Sequence, residues 1–102
     1  MKQTINIKYN NKTIVIPKPF NECDFGKNPL EEISVANRFN GESVLLPRFA
    51  VAIYDTIMGS QQIASNYDQT HGDGSSPLWK TVRKGLDWFM KNNAKAYMVL
   101  LD

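Results

Sequence analysis

The side chains able to do chemistry are few and thinly spread. His71 is the one histidine, set between Asp68 and Asp73. Three such groups could hold a metal ion or pass a proton. Their spacing matches no ligand or acid–base motif. Gly72 and Gly74 beside them deny the rigid hold that catalysis needs. Cys23 is the one cysteine, a nucleophile if His71 served as its base. No sequence logic brings the two together, and an inert, partly buried thiol is the plainer reading. Glu31, Glu32, Glu42 and Asp55 are the other carboxylates that could pair for hydrolysis. Glu31 and Glu32 follow Asn28-Pro29 and suit the positive end of a helix, and Asp55 beside Tyr54 reads as a hydrogen bond or a surface charge. One Cys and one His cannot make a zinc set, and Gly72, Gly74 and Ser75 lack the lysine and spacing of a phosphate loop. The expectation is a chain with no catalytic centre, no metal and no cofactor.

A second constellation is basic and aromatic. Trp79, Lys80, Arg83, Lys84, Trp88 and Lys91 share one stretch. From Ser76 to Asp102 the net charge is +3, whereas Met1 to Ser75 carries −1. Interleaved aromatics and cations can stack on bases and neutralise phosphates. In the plainer reading the tryptophans cap a core and the lysines form a solvated face. The short element from Ala94 to Leu101 follows a tight break, as in a helix-turn-helix, but offers only Lys95 to a base edge. The overall charge of +2 is too weak to argue for nucleic acid alone. The six residues stand as candidate contacts for a partner protein or for nucleic acid.

These residues must be positioned by local elements that the sequence also marks. Thr4 to Tyr9 and Thr13 to Ile16 are β-rich and flank Asn10-Asn11, a pair that tolerates the left-handed backbone of a tight hairpin. That turn pairs Tyr9 with Lys12, Ile7 with Ile14 and Ile5 with Ile16. Four isoleucines then share one face, opposite Asn6, Lys8, Thr13 and Val15. Pro17 and Pro19 end the second strand, and Phe20 to Lys27 reads as loop. Asn28-Pro29-Leu30-Glu31 starts like a helix, yet Ile33 and Val35 follow at once. One helical turn and then a strand is expected there, a turn over Asn37 to Gly41, and a returning strand from Glu42 to Leu46. A short helix from Pro29 to Ala36 is the alternative.

Pro47 opens a long helix reaching about Ser65, with Phe49, Ile53, Ile57 and Ser60 at helical spacing and Gly59 as its weak point. Tyr67 to Ser75 reads as a mobile loop. Ser76 caps a second long helix and Pro77 takes its first position. Leu78, Val82, Leu86, Phe89 and Met90 form its buried stripe, and Lys80, Lys84, Asp87 and Lys91 its wet one. Asn92-Asn93 breaks it, leaving a short helix from Ala94 to Leu101. The class is α+β: an N-terminal β-hairpin and a second hairpin form a small antiparallel sheet, packed by two long helices and a short C-terminal helix.

The 102 residues, 42% hydrophobic and 22% charged, suit a single globular domain spanning 1–102. A lone cysteine fits a reducing compartment. No stretch approaches the ~18 apolar residues of a membrane span, and the N-terminus lacks the apolar run of a signal peptide. A cytoplasmic, non-secreted protein is expected.

Two stretches carry a resemblance. Asn37-Arg38-Phe39-Asn40-Gly41-Glu42-Ser43, with Leu46-Pro47 and Ala52-Ile53-Tyr54-Asp55, resembles small uncharacterised proteins of tailed bacteriophages. So does Arg83-Lys84-Gly85-Leu86-Asp87-Trp88-Phe89, closing with Tyr97-Met98-Val99-Leu100-Leu101-Asp102. The likeness covers the last two thirds of the chain, and Arg38 stands where the pattern carries proline. It implies a viral origin, in a host cytoplasm or a virion, and brings no catalytic residue with it. The function expected is protein–protein binding in an adaptor, host-interaction or virion accessory role, including self-association. Nucleic-acid binding through the basic, Trp-containing helix from Pro77 to Lys91 is the alternative.

Overall fold

The computed structural model describes residues 4–18, 20–23, 25–37, 39–72 and 76–101. Asn10 and Asn11 both adopt positive φ, 51° and 63°, the backbone that a two-residue hairpin turn requires. They join β1 (Thr4–Tyr9) to β2 (Lys12–Pro17). The register is the one the sequence predicts, with Tyr9 opposite Lys12, Ile7 opposite Ile14 and Ile5 opposite Ile16. Ile14 and Ile16 are buried, Ile5 and Ile7 half-buried, and Val15 points away. Beyond β2, Phe20–Glu22 forms one 3₁₀ turn that buries Phe20.

Asn28 to Glu31 makes a single turn, in which Glu31 N–H donates to the Asn28 carbonyl at 3.2 Å. The chain then enters β3 (Glu32–Ala36), the outcome expected over a helix. The reversal that follows is built from asparagines. Asn37 Oδ1 accepts from Phe39 N–H at 2.7 Å, and Asn40 Oδ1 accepts from Glu42 N–H at 2.9 Å. Gly41, at φ 76°, supplies the left-handed residue. β4 (Ser43–Pro47) returns with Val44 opposite Val35 and Leu46 opposite Ile33. The fold is α+β, and its two hairpins are two separate two-stranded sheets. A side-chain bond between them, Tyr9 Oη to Glu32 Oε1 at 3.0 Å, replaces a shared ladder.

α1 (Arg48–His71) starts directly from β4. A helix start leaves backbone N–H groups without intrahelical partners. Here loop carbonyls take two of them: Arg48 N–H donates to Glu31 O at 2.8 Å, and Phe49 N–H to Pro29 O at 3.0 Å. The Arg48 guanidinium also pairs with the Glu31 carboxylate. The helix does not stop near Ser65, and Tyr67 to His71 is not loop. Gly59 sits inside it without ending it. Burial of Ile53, Ile57, Ser60 and Ala64 outweighs the glycine penalty of about 1 kcal/mol. The last turn is reinforced by Tyr67 stacked on His71, ring centroids 4.0 Å apart. Gly72 closes the helix, and residues 73–75 of the expected loop lie outside the described residues.

α2 (Leu78–Asn92) begins as expected, with Ser76 Oγ accepting from Leu78 N–H at 3.2 Å. Its buried stripe differs in part. Val82 and Phe89 are buried, but Met90 is exposed, and Gly85 and Trp88 take the interior positions. The expected final helix is α3 (Ala94–Ala96), started by Asn93 Oδ1 accepting from Ala96 N–H at 3.2 Å, and it widens at once into a π-helical turn, Tyr97–Leu101.

The core gathers where these elements meet: Ile16, Phe20, Leu46, Phe49, Ile53, Ile57 and Phe89 are all but fully buried. Trp88 meets Phe49 and Phe89 edge-on, at 6.3 and 4.9 Å, and donates its Nε1–H to the Val15 carbonyl at 2.9 Å. At Gly85 the two long helices approach closely. A Cβ there would fall deep inside the Ile57 side chain and 3.0 Å from Phe20 Cζ.

Gly85→Ala is therefore expected to lower stability by about 1–3 kcal/mol, even though alanine is the better helix former. Gly59, whose Cβ position is open, is the internal control: Gly59→Ala should raise stability by up to about 1 kcal/mol. Urea denaturation of both variants checks the contrast. Burial first, and the Glu32 carboxylate second, raise the pKa of Tyr9 above its ordinary 10.0. A raised folded-state pKa adds stability that is complete below the unfolded value and is lost as pH climbs through the folded one. Thermal unfolding above pH 10.0 should thus fall less steeply for Tyr9→Phe than for the unaltered chain.

Candidate binding groove

A groove of about 890 Å³ runs along the seam of α1 and α2. Its α1 wall is Tyr54, Met58, Gln61, Gln62, Ser65 and Asp68, a single stripe at helical spacing. Trp79, Val82, Arg83 and Leu86 form the α2 wall. From Tyr54 to Asp68 the α1 wall is about 21 Å long at the helical rise. Asn37, Phe39, Leu100 and Leu101 also line it, brought from the β3–β4 turn and the π-helical turn. Asn37 Nδ2 donates to the Val99 carbonyl at 2.8 Å and joins these two turns.

The far end is fastened by Asp68. Its Oδ2 accepts from Trp79 Nε1 at 2.6 Å and its Oδ1 from Ser76 N–H at 3.2 Å. One carboxylate thereby holds the start of α2 against the last turns of α1. The floor is apolar, with Tyr54, Val82 and Leu100 buried. Phe39 is the reverse: 98% of its surface is open to solvent. Arg83 is exposed in the wall and has no ion pair among the described residues.

The six candidate contacts do not stay together. Trp79 and Arg83 line the groove. Lys80, Lys84 and Lys91 lie exposed on the neighbouring stripe, with Asp87 among them. Trp88 is 6% exposed and belongs to the core, so it presents no ring for a base to stack on. Trp79 and Trp88 are nine positions apart, about two and a half helical turns, which puts them on opposite sides of α2.

The candidate catalytic groups are also dispersed. Asp68 is engaged with Trp79 and Ser76, while His71 stacks on Tyr67 and holds its Nδ1 3.1 Å from the Tyr67 carbonyl. Asp73 lies outside the described residues. Cys23 Sγ sits 3.2 Å from Thr56 Oγ1. Thr56 is fifteen positions before His71 on α1, about 22 Å along the helix, so the thiol and the imidazole cannot act on each other. Among the described residues no group of three or more His, Cys, Asp or Glu could hold a metal ion. No helix among them is long and apolar enough to cross a membrane.

Sequence reasoning marked the turn over Asn37 to Gly41 but not Phe39 within it, and it missed the Asp68–Trp79 bond. A large aromatic alone in a polar turn was the available signal for the first. The second joins residues on two helices and left no local trace. No family model matches the chain, and no curated protein or solved structure matches it.

If Asp68 fastens the helix pair, Trp79→Phe should cost about 1–3 kcal/mol, since the half-buried carboxylate loses a donor at 2.6 Å. Phe39→Asp, a change at an open turn, should stay within about 0.5 kcal/mol of the unaltered chain. Urea denaturation monitored by circular dichroism measures both.

Proposed function

We propose that the protein is a phage-type accessory protein that works by binding another protein, not by catalysis, in an infected cell's cytoplasm or in the virion. One observation carries the reading: Phe39, 98% exposed, stands on the rim of an open groove of about 890 Å³ whose floor is apolar. Water-exposed aromatics next to unfilled apolar clefts are the anatomy of contact sites, where an aromatic and a guanidinium carry much of the binding. Arg83 supplies the guanidinium in the groove wall. The dispersal of Cys23, His71 and Asp68 supports the non-catalytic half of the reading.

The exposed row Lys80, Lys84 and Lys91 favours a second reading, nucleic-acid binding along α2. Asp87 in the same row and the burial of Trp88 weigh against it.

Immobilised protein exposed to a nuclease-treated lysate of the cells that make it separates the two. Capture of a protein that survives nuclease and is lost with Phe39→Asp is expected. Capture abolished by nuclease yet unchanged in Phe39→Asp would overturn the reading in favour of nucleic acid.

A further inference from the structure

We propose that Asn40 is a self-modification site, at which the Gly41 backbone nitrogen closes on the Asn40 side chain, expels ammonia and leaves aspartate or isoaspartate in the β3–β4 turn. No partner or ligand enters this chemistry, so it holds or fails independently of what the groove binds. The chain has ten asparagines, and Asn40 alone precedes a glycine. At each of the others the following residue carries a side chain, which crowds the path of its nitrogen to the amide carbon. A Cβ at Gly41 would meet nothing within 4 Å, and Asn40, Gly41 and Glu42 are all exposed, so base and water reach the site.

The turn also poises the electrophile. Glu42 N–H donates to Asn40 Oδ1 at 2.9 Å. A side chain whose oxygen reaches the N–H two residues ahead lies alongside the peptide between, and the nitrogen of that peptide is the nucleophile. The same donor sits on the oxygen that gains negative charge when the nitrogen adds. The Gly41 N–Cγ bond forms, the Cγ–Nδ2 bond breaks, and ammonia carries off the Gly41 hydrogen. Water then reopens the five-membered ring at either carbonyl. Opening at Cγ gives aspartate, and opening at the Asn40 main-chain carbonyl gives isoaspartate, with the backbone rerouted through Cβ. One contact opposes the step. Gly41 N–H donates to the Asn37 carbonyl at 3.0 Å and must let go first. A single hydrogen bond in an exposed turn slows the attack by no more than about tenfold. Asn66, inside α1, is held far more firmly, because the helix ladder ties the N–H that follows it.

The full chain, kept folded at mildly alkaline pH in heavy-oxygen water and then digested with trypsin at mildly acidic pH in ordinary water, tests this. Cleavage after Arg38 and Arg48 releases residues 39–48, a peptide with one asparagine and no aspartate. Mass spectrometry is expected to find its amide replaced by an acid bearing heavy oxygen, in two chromatographic forms, before any other asparagine converts. The folded rate should lie within about tenfold of the rate in urea. Gly41→Ala should slow conversion by about tenfold or more, folded and in urea alike. The urea measurement separates loss of the glycine from a disturbed turn. An amide that survives in the folded chain while the urea-unfolded chain converts overturns the proposal. So does earlier conversion at another asparagine, or a Gly41→Ala rate unchanged in urea.

Discussion

The structure depends on how closely two helices approach at Gly85. With no side chain there, Ile57 of α1 and the ring of Phe20 occupy the space that a Cβ would need. Helix packing distances are set by the side chains at the crossing, and glycine gives the shortest. Everything on the interior side of α2 follows. Trp88 and Phe89 reach the core, Phe49 meets the indole edge-on, and the Trp88 Nε1–H finds the Val15 carbonyl of the first hairpin. The hairpin is thus fastened by a residue on the far helix, in addition to its isoleucine face.

The same close approach shapes the opposite side. α1 and α2 touch at Gly85 and Ile57, and their sequence neighbours Met58 and Leu86 line the groove. Asp68 clamps one end of the helix pair, and the bond from Asn37 to the Val99 carbonyl fixes the two turns that line the groove beside Leu100 and Leu101. The groove is therefore a result of packing. Its walls come from the α1 and α2 stripes, the β3–β4 turn and the π-helical turn, and no single element carries its pattern. The bulky floor residues are buried by neighbours, while the rim holds the one aromatic that the chain leaves almost wholly in water.

The legible parts of the fold were the local ones. Asn10-Asn11 and the alternation of isoleucines specify the first hairpin within 14 residues, and turn geometry and periodicity give the same register. The second hairpin was legible for the same reason, through Ile33, Val35 and the Asn-rich turn. The end of α1 was not, because Tyr67 and Asp68 are polar and read as loop, and what keeps them helical is contact with His71 and Trp79. The two tryptophans were legible in type but not in role. Their nine-residue separation already placed them on opposite sides of a helix, and only packing decides which side is core. Gly85 left no sign apart from its residue type, since its meaning lies in Ile57, 28 positions away. Asn37 and Val99, 62 positions apart, show the same limit at the groove.

Two ladders that never join have a consequence for how this molecule meets other chains. Among the described residues each of the four strands is an edge strand, with hydrogen-bonding groups facing outward instead of toward a further neighbour. Such rims invite strand addition and fibrous association. The sequence answers with Pro17 and Pro47 closing β2 and β4, and with Lys8 and Lys12 on the first ribbon. Prolines withhold a donor and lysines resist close approach by another ribbon. Protection from runaway stacking is thereby assigned to a handful of side chains, the exposed Lys8 and Lys12 together with the half-buried Pro17 and the buried Pro47, and these carry a share of the molecule's colloidal safety.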